Sequence, residues 1–184
     1  MDYHVSEWMS WEGGVDLAAR YNDKEGSLIF IHVAAMVHTP IGSAPGGMVL
    51  LQESPDEAPA LMGFISTDAR IADYFGPNIF AGSPFESAPG LEAAIEVTHD
   101  DDSCSADVTI ADTRIQLSMT GLGETKRATR EPNNEAPFVQ QILERSAGSV
   151  SLVINDEKQN ISVIPNGERG EPSAAFTPAG IYSR

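Results

Sequence analysis

Apolar and polar residues alternate with a period of two along most of the chain, the spacing of a strand with one face on a core and one in water. LEAAIEVTH places Leu91, Ala93, Ile95 and Val97 on one face, with Glu92, Glu96 and Thr98 on the other. SADVTIAD repeats the pattern through Ala106, Val108 and Ile110, and RIQLSMT through Ile115, Leu117 and Met119. The short polar turns HDDDS and ADT join these runs, so residues 91–120 are predicted to form an antiparallel meander. Further strands are expected at Val15 to Tyr21, Leu28 to His38, Met48 to Gln52 and Leu61 to Ser66. VSLVIN and NISVIP read as a hairpin around DEKQ, and AAFTPAGIYS as a last strand whose Pro178 marks an edge or a bend.

Helical spacing is scarce. NEAPFVQQILERSAG carries Asn134 as a cap, an apolar stripe of Phe138, Val139, Ile142 and Leu143, and Gly148 just past the end, which predicts one accessory helix. TDARIADYFG reads as a shorter turn opened by Thr67 or Asp68, and SPDE and SPFE as single helical turns. ETKRATREPNNEAP, residues 124–137, reads as a crossing loop. The expected fold is therefore all-β with one helix, a single domain over 1–184. An antiparallel β-barrel, lipocalin-like and closed or partly closed, hides the edges of so many strands, with a two-sheet β-sandwich as the alternative. The strand from 28 to 38 is apolar on both faces, so a core or cavity covers one face. The other needs the helix, the N-terminal segment or a second subunit, and a homodimer is one expectation.

Composition narrows the function. At 184 residues, with 41% hydrophobic and 21% charged residues, the chain has enough apolar material for one core. The excess of 27 acidic over 11 basic side chains, a formal net charge of -16, repels phosphate and anionic lipid, so no nucleic-acid and no membrane partner is expected. MDYHVSEWMS lacks the basic start and apolar centre of a signal peptide, and the single Cys104 cannot form an internal disulfide. These features predict a cytoplasmic protein.

Little in the sequence matches a known chemical motif. HDDDSCSAD gathers His99, Asp100, Asp101, Asp102 and Asp107, but it has neither the alternating spacing nor the glycine of a calcium loop and reads as a hairpin turn. No metal and no cofactor is expected, since GLGETK is not a phosphate loop and no GxGxxG, GxSxG, HExxH or CxxC occurs. KRATR, residues 126–130, is the one basic cluster and reads as a solvated loop. By strand parity, His32 and His38 share a face with Phe30 and Met36. Six residues of unbroken strand hold the two imidazoles about 20 Å apart, too far for one metal ion. His32, nearer mid-strand, is the candidate general acid or base.

DYFGPNIFAGSPF, residues 73–85, stands apart: five of thirteen residues are Tyr, Phe or Ile, yet two Gly and two Pro break any regular element. Such a loop lies across a barrel mouth or sheet edge as a ligand rim, fills it as a plug, or meets a second subunit. The Trp8 and Trp11 segment EWMSWEGG invites the same reading as a plug. The candidate ligand-binding set is Phe30, Met36, Tyr74, Phe75, Phe80 and Phe85, with His32 as the catalytic candidate. Together these features predict a protein that binds a hydrophobic small molecule, extending to a cyclase or isomerase that works by shape and one acid/base group. The alternative is an acidic interaction module, of inhibitor or DNA-mimic type, without catalysis.

Overall fold

The computed structural model describes residues 7–22, 24–164, 166–167 and 170–184. The first six residues, part of the segment expected not to be a signal peptide, and Pro165 of the expected hairpin lie outside the described residues. Of the described residues 59% are strand, with one short helix, arranged as two sheets. The larger contains β5 (Gly90–Glu92), β4 (Leu61–Ser66), β3 (Gly42–Gln52), β2 (Leu28–Thr39), β1 (Trp8–Tyr21), β14 (Ala174–Ser183), β10 (Val139–Ser146) and β9 (Lys126–Arg130), in that spatial order. β13 (Ile161–Val163) also pairs with β1. The smaller has the order β12 (Glu157–Lys158), β11 (Ser149–Ile154), β8 (Thr113–Thr120), β7 (Ser103–Ile110) and β6 (Ala94–His99).

The barrel expectation is corrected here. β5 and β9 end the large sheet without pairing to each other, so it is not closed. It is nevertheless strongly curled. β4 and β10 are five strand steps apart, about 24 Å in a flat sheet, yet Phe80 reaches within 4.9 Å of Phe64 on β4 and 5.2 Å of Phe138 beside β10, ring centroid to ring centroid. The result is a trough. The small sheet packs against one face through Val15, Leu17, Ile31 and Val33 of the large sheet and Ala106, Val108, Ile115 and Leu117 of its own. The opposite face carries a second cluster, in which Trp11, Phe64, Phe75, Ile79, Phe138 and Ile142 pack together. Most of both faces of β2 is thus covered from within the chain, with Phe30 left exposed.

A crease crosses the large sheet and resets its alternation. Trp11 and Gly14 of β1 pair with Val37 and Ala34 of β2, so positions three apart share a face on both strands. Gly13 at φ 63° takes the left-handed turn that this requires. The β2–β3 register slips between Ala34 and Val37, opposite Pro45, and the β10–β14 register slips between Leu143 and Arg145, beside Pro178. Pro178 therefore marks a bend inside the sheet, where its missing N–H is harmless. The crease also overturns the expected parity of β2: Val37 joins Ala34 in the trough cluster, which turns Met36 and His38 to the other face.

Three other expectations change. Residues 139–146 form the strand β10 rather than a helix. The second arm of the C-terminal hairpin is reduced to β12, which turns back on β11 through Asn155 and Asp156, both at positive φ, while β13 joins β1. KRATR is an edge strand rather than a solvated loop, with Arg130 buried. The short helix over Ala69–Tyr74 forms as expected, capped by Asp68, whose side chain accepts from the Arg70 amide.

Candidate functional site

The aromatic loop closes over the trough. The helix Ala69–Tyr74 runs into a π-helical turn at Phe75–Ile79, with Phe75 and Ile79 fully buried. The loop's backbone is satisfied locally and from a distance: Asn78 donates to the Tyr74 carbonyl at 2.8 Å and the Gly82 amide donates to Glu86 at 2.7 Å. The Arg184 guanidinium, one residue beyond β14, donates to the carbonyls of Asn78, Ile79 and Ala81 at 3.2, 3.3 and 2.6 Å. An irregular loop can therefore turn its rings inward without stranding its carbonyls. Phe80 and Phe85, half-buried, extend beyond the packed part over open space.

That space is a cavity of about 400 Å³. Its apolar wall includes Met9, Met48, Phe64, Phe80, Phe85 and Phe138, and its polar wall includes Asp16, His32, Arg130, Gln140, Glu144 and Tyr182. Of the residues singled out in the sequence, Phe30, His32, Phe75, Phe80 and Phe85 line it. Two do not. Met36 is turned away by the crease, and Tyr74 packs in the trough cluster, its hydroxyl 3.5 Å from the Trp8 carbonyl. Burial pushes the Tyr74 hydroxyl pKa up.

His32 is held by a neighbour that sequence reading overlooked. Asp16 is its register partner on β1, and the Asp16 carboxylate contacts Nδ1 of the imidazole. A carboxylate only accepts, so Nδ1 carries a proton, and whenever the ring is neutral its lone pair lies on Nε2. Nε2 is buried and has no hydrogen-bond partner. The ring is fixed edge-on to Trp11 at 5.0 Å, and Trp11 is fixed in turn by its indole N–H donating to Thr177 at 3.0 Å. A Cβ on Gly180 would overlap the indole, so β14 needs a glycine there for Trp11 to lie flat across it.

β10 supplies the second polar group. Its alternation buries Phe138, Gln140, Ile142 and Glu144 toward the trough, polar and apolar in turn. Arg130 on β9 makes this possible: one guanidinium nitrogen donates to both Glu144 oxygens at 2.7 and 3.0 Å, and another to Gln140 at 3.3 Å. Gln140 donates onward to the Tyr182 hydroxyl at 3.2 Å. Tyr182 stacks on Phe138 at 4.0 Å and lies 6.5 Å from the His32 ring, so it joins the two polar groups. The Arg130 Nε is buried without a partner. Among the described residues no lysine or cysteine lines the cavity.

The other candidates serve structure. His38 bonds Ser43 at 2.8 Å and Glu12 at 3.3 Å on the surface. In HDDDSCSAD, Asp100 accepts from the amides of Asp102 and Ser103, both at 2.8 Å, which is a hairpin turn and holds its carboxyl below the usual range. Cys104 is buried, and that burial, with Asp16 adding to it, pushes its thiol up to about 12. Among the described residues no helix is long and apolar enough to cross a membrane.

No protein-family model and no curated protein matches the chain. Among solved structures it is similar to the acetoacetate decarboxylase of Legionella pneumophila subsp. pneumophila str. Philadelphia 1 at 9% identity and a TM-score of 0.44, covering 97% of this chain and 86% of that one. A second acetoacetate decarboxylase structure matches at 8% identity and a TM-score of 0.37, over 96% of this chain and 86% of the other. At that distance the chemistry of the site has to be read from this chain's own residues.

Proposed function

We propose that the protein binds a small, largely apolar molecule in the trough cavity and that His32 exchanges a proton with it. The observation that carries this reading is the unpartnered Nε2 of His32, buried on the wall of a cavity that several aromatic rings border while Asp16 holds the opposite side of the ring. A buried polar atom without a partner is costly, and a ligand atom in the cavity relieves that cost. A carboxylate on one imidazole nitrogen fixes the tautomer and steadies the ring when it takes a proton, the arrangement used by histidine acid/base groups. Phe30, Phe75, Phe80 and Phe85 give the ligand its apolar surround. The chemistry compatible with one acid/base group and an enclosed aromatic surface is isomerisation or cyclisation of the bound molecule.

The test is thermal denaturation of the protein across a library of apolar metabolites, neutral and charged, with hits confirmed by native mass spectrometry. A ligand at 100 times its Kd stabilises by about 2.7 kcal/mol, a rise in Tm of roughly 5–10 °C for a chain of this size. His32→Gln should keep part of that rise and abolish any turnover. A protein that responds to no compound, yet captures a basic partner at low salt and releases it as salt rises, would establish the interaction-module alternative instead.

A further inference from the structure

We infer that the cavity selects an amine: a protonated nitrogen on an aromatic or alicyclic body, in preference to a neutral alcohol or a carboxylic acid. This deepens the binding reading above and rests on it. Among the described residues, four carboxylates line the cavity, Asp16, Glu135, Glu144 and Glu171, against one guanidinium, Arg130. Arg130 is already engaged by both oxygens of Glu144, so its charge is largely cancelled before a ligand arrives. Asp16 has His32 beside it. Glu135 and Glu171 have no cation paired to them among the described residues.

The unmet hydrogen-bonding capacity has the same sense. Two buried atoms that can accept lack a donor: Oε2 of Glu171 and, in the neutral ring, Nε2 of His32. One buried donor, Nε of Arg130, lacks an acceptor. A ligand rich in N–H groups answers both acceptors, and one neutral oxygen elsewhere on it answers Arg130. A carboxylate would offer acceptors where acceptors are already in excess, inside a field that repels it. The rest of the wall suits a cation too, because the rings of Phe64, Phe80, Phe85, Phe138 and Tyr182 border the cavity and aromatic faces attract ammonium groups once water is excluded.

Three molecules of one shape separate the possibilities: 4-phenylbutylamine, 4-phenylbutan-1-ol and 4-phenylbutyrate, titrated against the protein by calorimetry and by fluorescence of the two tryptophans, of which Trp11 borders His32. The amine should bind about tenfold or more tighter than the alcohol, and the acid weakest. In Glu171→Gln the amine's lead over the alcohol should shrink by about threefold or more. Equal or tighter binding of the alcohol or the acid overturns the amine preference and leaves the cavity as a binding site. Failure of all three to bind at millimolar concentration overturns the binding reading and this inference with it.

Discussion

Phe75 and Phe80 sit five residues apart in the same loop, and the structure gives them different work. Phe75 is 1% exposed and packs with Phe64, Tyr74 and Ile79 in the trough cluster, so, although it also reaches the cavity lining, truncation to alanine leaves a void among side chains that are themselves fixed. Such truncations cost about 3–5 kcal/mol. Phe80 is half-buried and already borders the cavity, so truncating it enlarges an existing space rather than opening a new one. It loses part of its transfer energy and its edge and tilted contacts with Phe64, Phe85 and Phe138, about 2 kcal/mol in all. Urea denaturation followed by tryptophan fluorescence compares the two directly, with Phe85→Ala as a second cavity-facing control. The Phe80→Ala midpoint should lie between wild type and Phe75→Ala, and Phe80→Ala should lose more ligand affinity than stability. Equal, large losses at positions 75, 80 and 85 would refute the division of the loop into core and rim, and would make the whole stretch a plug.

The buried pair of Arg130 and Glu144 should show the asymmetry of interior charges: Arg130→Ala or Glu144→Ala alone costs about 3–5 kcal/mol, while the joint change Arg130→Met with Glu144→Leu comes close to wild-type stability. Calorimetric melting of the three variants reads this out, and additive losses in the double variant would count against it. Ile31→Asp or Val33→Asp should prevent folding rather than release a monomer, because both residues pack under the chain's own small sheet; a soluble, folded monomer of either variant on light scattering would contradict that packing. Cys104 should resist iodoacetamide at pH 8 in the native protein and react promptly in urea. Its folded pKa is raised above the unfolded value of 9.0, to about 12. The neutral thiol's contribution is therefore intact below pH 9 and falls away as pH rises toward 12, which stability measurements across that range will show.

Where one face of a strand meets water, the sequence alone determines the element. The meander over β6, β7 and β8 is legible because Ala106, Val108, Ile115, Leu117 and Met119 alternate with polar residues, and a shift of one position would put all of them in solvent. The Asp16 and His32 pair was also within reach: the short polar turn YNDKEGS between two predicted strands makes a hairpin, and a hairpin centred near Lys24 sets Asp16 opposite His32. β10 was not legible. Phe138, Val139, Ile142 and Leu143 satisfy a helical period, and reading the segment as a strand requires burying Gln140 and Glu144. Only Arg130, brought alongside on β9, makes that burial affordable. The crease was hidden for a related reason. No local pattern reveals that Gly13, Ala35, Pro45 and Pro178 meet on neighbouring strands and reset the alternation together, which turns Met36 and His38 away while keeping His32 in the trough. Local periodicity specifies which side chains avoid water, but the partners of buried polar groups and the places where a sheet bends are set by strands distant in sequence, and these decide the site.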